Sequence, residues 1–252
     1  MKILLNLSYV GTAYCGYQVQ KNGVSIQQRL NEAAKALFGF DCDIVGCSRT
    51  DRGVHASTFC ATVSKKGESG IFSTIPENAL PRAFNSYLPG DISVKSAKYV
   101  DDAFHPRYDV KHKEYVYRIY TASIPDPFLY GRVWNYCREI SDATLLRMNE
   151  AAKNFVGKYD FSAFMSSGSS VSDTVREVVS ARVVRNGEIV EFYVAADGFL
   201  YNMVRIMTGT LIAVAEGKTE PEDIVGIIAA KDRSRAGMTA PPDGLYLNGV
   251  EY

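Results

Sequence analysis

REVVSARVVRNGEIVEFYVAA (residues 176–196) decides the fold class. Two runs rich in β-branched residues flank Asn186-Gly187, a dipeptide that supplies the positive φ angles of a two-residue hairpin turn. The stretch therefore reads as a pair of antiparallel strands. Upstream, HKEYVYRIY (112–120) alternates at period two, with Tyr115, Tyr117 and Ile119 on one face and Val116, Arg118 and Tyr120 on the other. Downstream, GFLYNMVRIMTGTLIAVAEG (198–217) is as long as a membrane span but contains Asn202 and Arg205, which favours a buried helix. Arg205 is the only charged residue between Asp197 and Glu216. A guanidinium keeps its charge and is costly to bury alone, so this helix predicts a waiting carboxylate.

The rest of the chain repeats the same alternation. KILLNLSYV (2–10) reads as a strand, Ser25 to Gln28 as a capping box opening a helix that stops at Gly39, and TFCATVS (58–64) as a further strand. A helix over 76–88 and a strand over 91–100 close this first round. The second round adds a helix over 142–156, a helix opened by the box Thr219 to Glu222, and a closing strand LYLNGVEY (245–252). The pattern predicts an α+β fold of two halves, 1–103 and 104–252, each a mostly antiparallel sheet backed by helices. SSGSSVSD (166–173) reads as either a lid or a solvated loop.

Composition bounds the chemistry. Among 252 residues, 46% are hydrophobic and 22% charged, which is ordinary for a globular protein. Lys plus Arg equals Asp plus Glu at 28 each, so any nucleic-acid surface has to come from local clustering. The five cysteines show no metal-binding spacing, and MKILLNLSYV has no signal-like run, so reduced thiols in the cytoplasm are expected. Gly11 and Gly16 have the spacing of a phosphate-binding loop, but Tyr17-Gln18 stands where that loop needs Lys and Ser or Thr. His55, His105 and His112 lack metal-ligand spacing, and no serine elbow or dinucleotide fingerprint is present. A reaction without metal or organic cofactor is favoured.

What remains is GCSRTDRGVHA (46–56), which sets Asp51 between Arg49 and Arg52 and brackets it with Gly46 and Gly53. Paired with a cation such as Arg205, Asp51 would stay ionised when buried, which suits a nucleophile or base. Tyr14, Tyr17, Tyr115 and Tyr117, interleaved with Lys and Arg, are expected to form an exposed face that stacks planar rings.

Seven motifs in order resemble the tRNA pseudouridine synthase A (TruA) family. They are YVGTAYCGYQVQ (9–20), GCSRTDRGVHA, LPGDI (88–92), FHPRYDVKHKEYVY (104–117), DFSAF (160–164), GFLYNMVRIMTG (198–209) and AGMTAPPDGLYLNGVEY (236–252). The resemblance implies isomerisation of uridine to pseudouridine at positions 38, 39 and 40 of the tRNA anticodon stem-loop, without cofactor. It makes Asp51 the catalytic carboxylate, Tyr115 the residue against the target uracil, and Arg205 the partner of Asp51. Arg49, Thr50, Arg52, Gly53, Val54 and His55 are then expected around the substrate, with His55 holding the turn and Arg49 either helping extrude the base or forming a salt bridge. It also implies two halves resembling RNA-recognition sheets, joined into one surface with the active site in the cleft between them, and a homodimer in which one tRNA touches both subunits. Val10, Tyr17 and Arg52 depart from the family's acidic residue, Trp and small residue. Two alternatives stand beside it: an RNA-binding or RNA-folding protein without the isomerase activity, and the same chemistry on another RNA.

Overall fold

The computed structural model describes residues 1–168 and 171–252. Along the chain run β1 (Lys2–Tyr9), α1 (Ile26–Phe38), β2 (Cys42–Gly46), β3 (His55–Lys65), α2 (Leu80–Asn85), β4 (Ile92–Val100) and β5 (His112–Tyr120). There follow β6 (Trp134–Asn135), α3 (Asp142–Lys153), β7 (Gly157–Asp160), β8 (Val175–Asn186), β9 (Ile189–Ala196), α4 (Met203–Ala215), α5 (Asp223–Ala230) and β10 (Leu245–Glu251). The α+β expectation is borne out, with mostly antiparallel pairing in both compact units. The units are Met1–Lys111 with Tyr246–Tyr252, and His112–Leu245. The sequence pattern divides the chain at 103/104 and keeps the whole tail in the second half. The segment 104–111 and the final strand instead belong to the first unit: Lys111 donates its N–H to Glu251 O at 2.8 Å, and Tyr252 hydroxyl bonds Pro106 O at 2.9 Å.

In the first unit, β1 lies between β4 and β3, and β3 also carries β2 on one side and pairs in parallel with β10 through His55–Tyr246 and Ala56–Leu247. Ile3, Leu5 and Leu7 of β1 oppose Val63, Ala61 and Phe59 of β3, and all six are buried. Helix α1 begins where Ser25 Oγ accepts the Gln28 N–H at 3.2 Å and ends where Gly39 takes φ 78°. Gln28 bonds Glu32 instead of turning back to Ser25, so only half of the expected capping box forms. Strand β2 was not foreseen, because five residues containing two charge-neighboured positions and a glycine give no clear alternation. Helix α2 is shorter than expected, confined by Pro76, Pro81 and Pro89.

In the second unit, the order is β5, β9, β8, β7, with β6 on β5. The hairpin is where the sequence placed it, but its register differs: Asn186 pairs with Ile189, so the two loop residues are Gly187 and Glu188. Gly187 has φ 60° while Asn186 stays in the strand, so glycine occupies the first central position of the turn. Tyr117, Phe192 and Val183 stand opposite one another on one sheet face, all buried, with Phe155 at the end of α3 packed near Phe192. Helix α4 is buried over most of its 13 residues, and no helix among the described residues is long and apolar enough to cross a membrane. Helix α5 opens later than its expected box: Glu222 makes no side-chain cap, and Asp223 Oδ2 accepts the Glu220 N–H at 2.9 Å.

Residues 169 and 170, and with them the lid reading of 166–173, lie outside the described residues. The flanks are anchored by Asp160, which accepts from Ser162 N–H at 3.0 Å and Thr174 hydroxyl at 2.6 Å and pairs with Lys231 at 2.8 Å. Lys231, Thr174 and Ser162 hold the Asp160 carboxyl well below its ordinary value of 3.8. A depressed folded-state pKa gives stability that is complete above the unfolded pKa and is lost as pH falls towards the folded one. We expect the urea midpoint to fall less steeply between about pH 5 and 3 in Asp160→Asn than in the parent, as monitored by circular dichroism.

Candidate active site

Asp51 is half-buried at the first position of a tight turn, where its carbonyl accepts the Val54 N–H at 3.1 Å. Gly53, third in that turn, has φ 80°, the left-handed angle that such a turn demands of glycine. Gly46 serves a different need. A Cβ there would come within 2.6 Å of the Tyr17 ring and 2.8 Å of Phe59, so its bare backbone admits two stacked rings. The two glycines bracketing Asp51 therefore do separate work, one turning the chain and one clearing space.

The loop is held from behind by residues 9–17. Tyr9 and Thr50 hydroxyls bond at 2.8 Å, Tyr17 N–H donates to Thr50 O at 3.0 Å, and Gly11 N–H donates to His55 Nδ1 at 2.9 Å. A Cβ on Gly11 would lie 2.0 Å from Val54 O, and one on Gly16 would lie 2.7 Å from Thr50 O. These glycines permit backbone-to-backbone approach, which explains a spacing that resembled a phosphate loop without its lysine. His55 is fully buried, with its ring stacked on Tyr246 at 4.5 Å. Because Nδ1 accepts, the ring proton of the neutral imidazole sits on Nε2. Asp91, in the third motif, completes the support: Tyr14 hydroxyl donates to its Oδ1 at 2.6 Å, and Val10 N–H to its carbonyl at 2.9 Å.

Thr50, Gly53, Val54 and His55 are thus buried in the turn and at its two ends, while Arg49 and Arg52 are exposed and form no ion pair among the described residues. In the second unit, Tyr115 is buried on β5 with its ring edge against Phe199 at 5.0 Å. Arg205 is half-buried in the first turn of α4, donating from Nε to Ala240 O and from Nη1 to Asn202 Oδ1, both at 2.7 Å. The strap carrying Ala240 crosses α4 at Gly209, where a Cβ would meet Met238 O at 1.8 Å. The next carbonyl, Pro241 O, accepts the Tyr117 hydroxyl at 2.6 Å. Burial pushes the Tyr117 phenol well above its ordinary value, against the opposing effect of Arg205, so it stays neutral.

One expectation is overturned. Tyr14, Tyr17, Tyr115 and Tyr117 do not form an exposed stacking face, since all four are buried. Period-two alternation separates the faces of β5, but both of those faces are buried, and Tyr14 and Tyr17 lie in the segment between β1 and α1. Sequence reading also missed Gly11, Asp91 and Asn202 as supports, because their partners lie in other motifs. Tyr17, the departure from the family's Trp, leaves its buried hydroxyl without a hydrogen-bond partner among the described residues. Such a group costs free energy that phenylalanine would not, so Tyr17→Phe should raise stability by about 1 kcal/mol, read as a higher Tm and urea midpoint.

Comparison with known proteins gives the chain its family. A family model described as tRNA pseudouridine synthase matches residues 151–252. The tRNA pseudouridine synthase A of Thermoanaerobacter sp. (strain X514) is 41% identical over 251 residues, covering 99% of both chains. That of Acetivibrio thermocellus is 42% identical over 253 residues with 99% of both covered, and that of Staphylococcus saprophyticus 37% identical over 99% of this chain and 90% of its own. A solved structure, "Crystal Structure of a Cbf5-Nop10-Gar1 Complex", aligns at a TM-score of 0.36 and 12% identity over 96% of this chain and 57% of that one, too distant to add to the sequence relation. With identity of this order running the full length of the chain, the protein belongs to the tRNA pseudouridine synthase A family.

Proposed function

We propose that this chain isomerises uridine to pseudouridine in tRNA, at positions 38, 39 and 40 of the anticodon stem-loop, with Asp51 as the catalytic carboxylate and no cofactor. The observation that carries the reading is the Asp51 turn, a half-buried carboxylate raised on a glycine turn and braced by residues 9–17, which Asp91 holds in their turn. Rigid support of this kind is what a reacting group needs and a solvated loop does not. In the reaction, the bond from C1′ to N1 of uracil breaks, the base turns over, and a bond from C1′ to C5 forms. The C5 hydrogen leaves as a proton and N1 ends protonated, so the change is an isomerisation with no net oxidation. Asp51 acts either by attacking C1′ or by taking the C2′ proton.

The remaining roles are those that the family resemblance implies. Arg205, paired with Asp51, keeps that carboxylate ionised. Tyr115 stands against the flipped uracil, and its hydroxyl assists removal of the C5 proton. The exposed Arg49 and Arg52 hold phosphate or occupy the space of the extruded base, while Thr50, Gly53, Val54 and His55 keep the turn in shape. One tRNA contacts both subunits of a cytoplasmic homodimer. With equal numbers of acidic and basic residues in the chain, tRNA affinity depends on local cations and weakens with salt.

The test is tritium release from tRNA labelled at C5 of uridine, which reports expulsion of the C5 hydrogen itself. The protein should release tritium from uridine at positions 38 to 40 and not from an anticodon-stem variant lacking uridine there. Asp51→Asn should slow release by roughly 10³-fold or more while still binding tRNA. An unchanged rate in that variant refutes the role of Asp51, and binding without release by the parent points to an RNA-binding protein or to another RNA substrate.

A further inference from the structure

Asn202, immediately before α4, has φ 62° and ψ 10°, a left-handed conformation that few non-glycine residues adopt. Its side chain is used at both ends: Oδ1 accepts from Arg205 Nη1 at 2.7 Å, and Nδ2 donates to Ser166 Oγ at 3.0 Å. A guanidinium can only donate, which fixes which way the amide points. Ser166 N–H in turn bonds Tyr201 O at 3.1 Å, so the link is closed by the backbone beside it. Glycine would take this backbone angle more easily, yet it could not supply the amide.

The chemistry of the acceptors matters as much as their placement. Arg205 is oriented by a backbone carbonyl and a side-chain amide, and neither carries charge. A carboxylate at 202 would hold the guanidinium at least as firmly while neutralising it. We propose that Asn202 is a positioning residue for the reaction: it fixes the Arg205 guanidinium while leaving its positive charge for the catalytic carboxylate. The inference deepens the assignment of Asp51 and Arg205 and rests on it.

Two substitutions separate orientation from charge. Asn202→Asp keeps the shape and the tolerance of left-handed backbone but adds a competing anion, whereas Asn202→Gly keeps the backbone and removes the amide. With Tm within a few degrees of the parent, Asn202→Asp should lower kcat for tritium release by about 100-fold, with KM for tRNA changed less than about twofold. Asn202→Gly should lower kcat by about tenfold. A merely structural residue would make the losses follow Tm, and full kcat in Asn202→Asp overturns the proposal. The nitrogen-15 signals of the Arg205 Nη hydrogens, assigned with Arg205→Lys, give a readout independent of turnover, because Nη1 is the donor to Asn202 Oδ1. Slow exchange in the parent and faster exchange in Asn202→Gly support the orienting role, and identical exchange overturns it. A parent protein that releases no tritium refutes the activity instead, and the exchange data still decide whether Asn202 orients Arg205.

Discussion

The hydrogen bond from the Gly11 amide to the buried Nδ1 of His55 extends the contact between their two segments past the end of the β1–β3 ladder, whose last pair is Tyr9 with Ala56. A buried imidazole acceptor left unmade costs about 1–3 kcal/mol, so once His55 is drawn under the loop the chain has reason to bring Gly11 against it. That approach is possible only because Gly11 and Gly16 leave room for the carbonyls of Val54 and Thr50. The Tyr9–Thr50 and Tyr17–Thr50 bonds then fall into place on either side. The position of Asp51 is in this sense a product of residues nearly forty places earlier.

The second unit meets an opposite difficulty with a related solution. A guanidinium partway inside an apolar helix needs acceptors, and the strap from Gly237 to Pro241 delivers two carbonyls, one to Arg205 and one to Tyr117. The strap can lie that close because glycine faces glycine where it crosses α4: a Cβ on Gly237 would be 2.4 Å from Gly209 C. Arg233 secures the strap from outside with bonds to Gly237 O at 2.9 Å and Thr239 Oγ1 at 3.1 Å. Both units therefore position a charged side chain by pressing irregular backbone against a glycine.

Much of the architecture was legible because its signals are local. Ser25 and Gly39 delimit α1 by capping chemistry, β5 is rich in aromatic and β-branched residues, and α4 is apolar nearly all round. What stayed hidden depends on tertiary neighbours. The hairpin register moved by one residue because Gly187 alone could satisfy the turn, β2 takes its strand character from pairing with β3, and the four tyrosines look alike whether their face meets water or core. At the site, the residue types of the Asp51 loop were visible, whereas the bracing contacts joined positions that only the fold makes adjacent. Glycine spacing was the one trace of that bracing in the sequence.

The first unit is discontinuous, since residues 112–245 intervene between its β4 side and the strand that pairs Tyr246 with His55. Contacts so distant along the chain form late, after the loop-closure entropy of everything between them has been overcome. The imidazole beneath the Asp51 turn thus gains its stacking partner only when the inserted unit has compacted enough to return the chain. Order of assembly becomes a form of quality control, because a chain whose inserted unit misfolds also leaves its carboxylate loop without its floor.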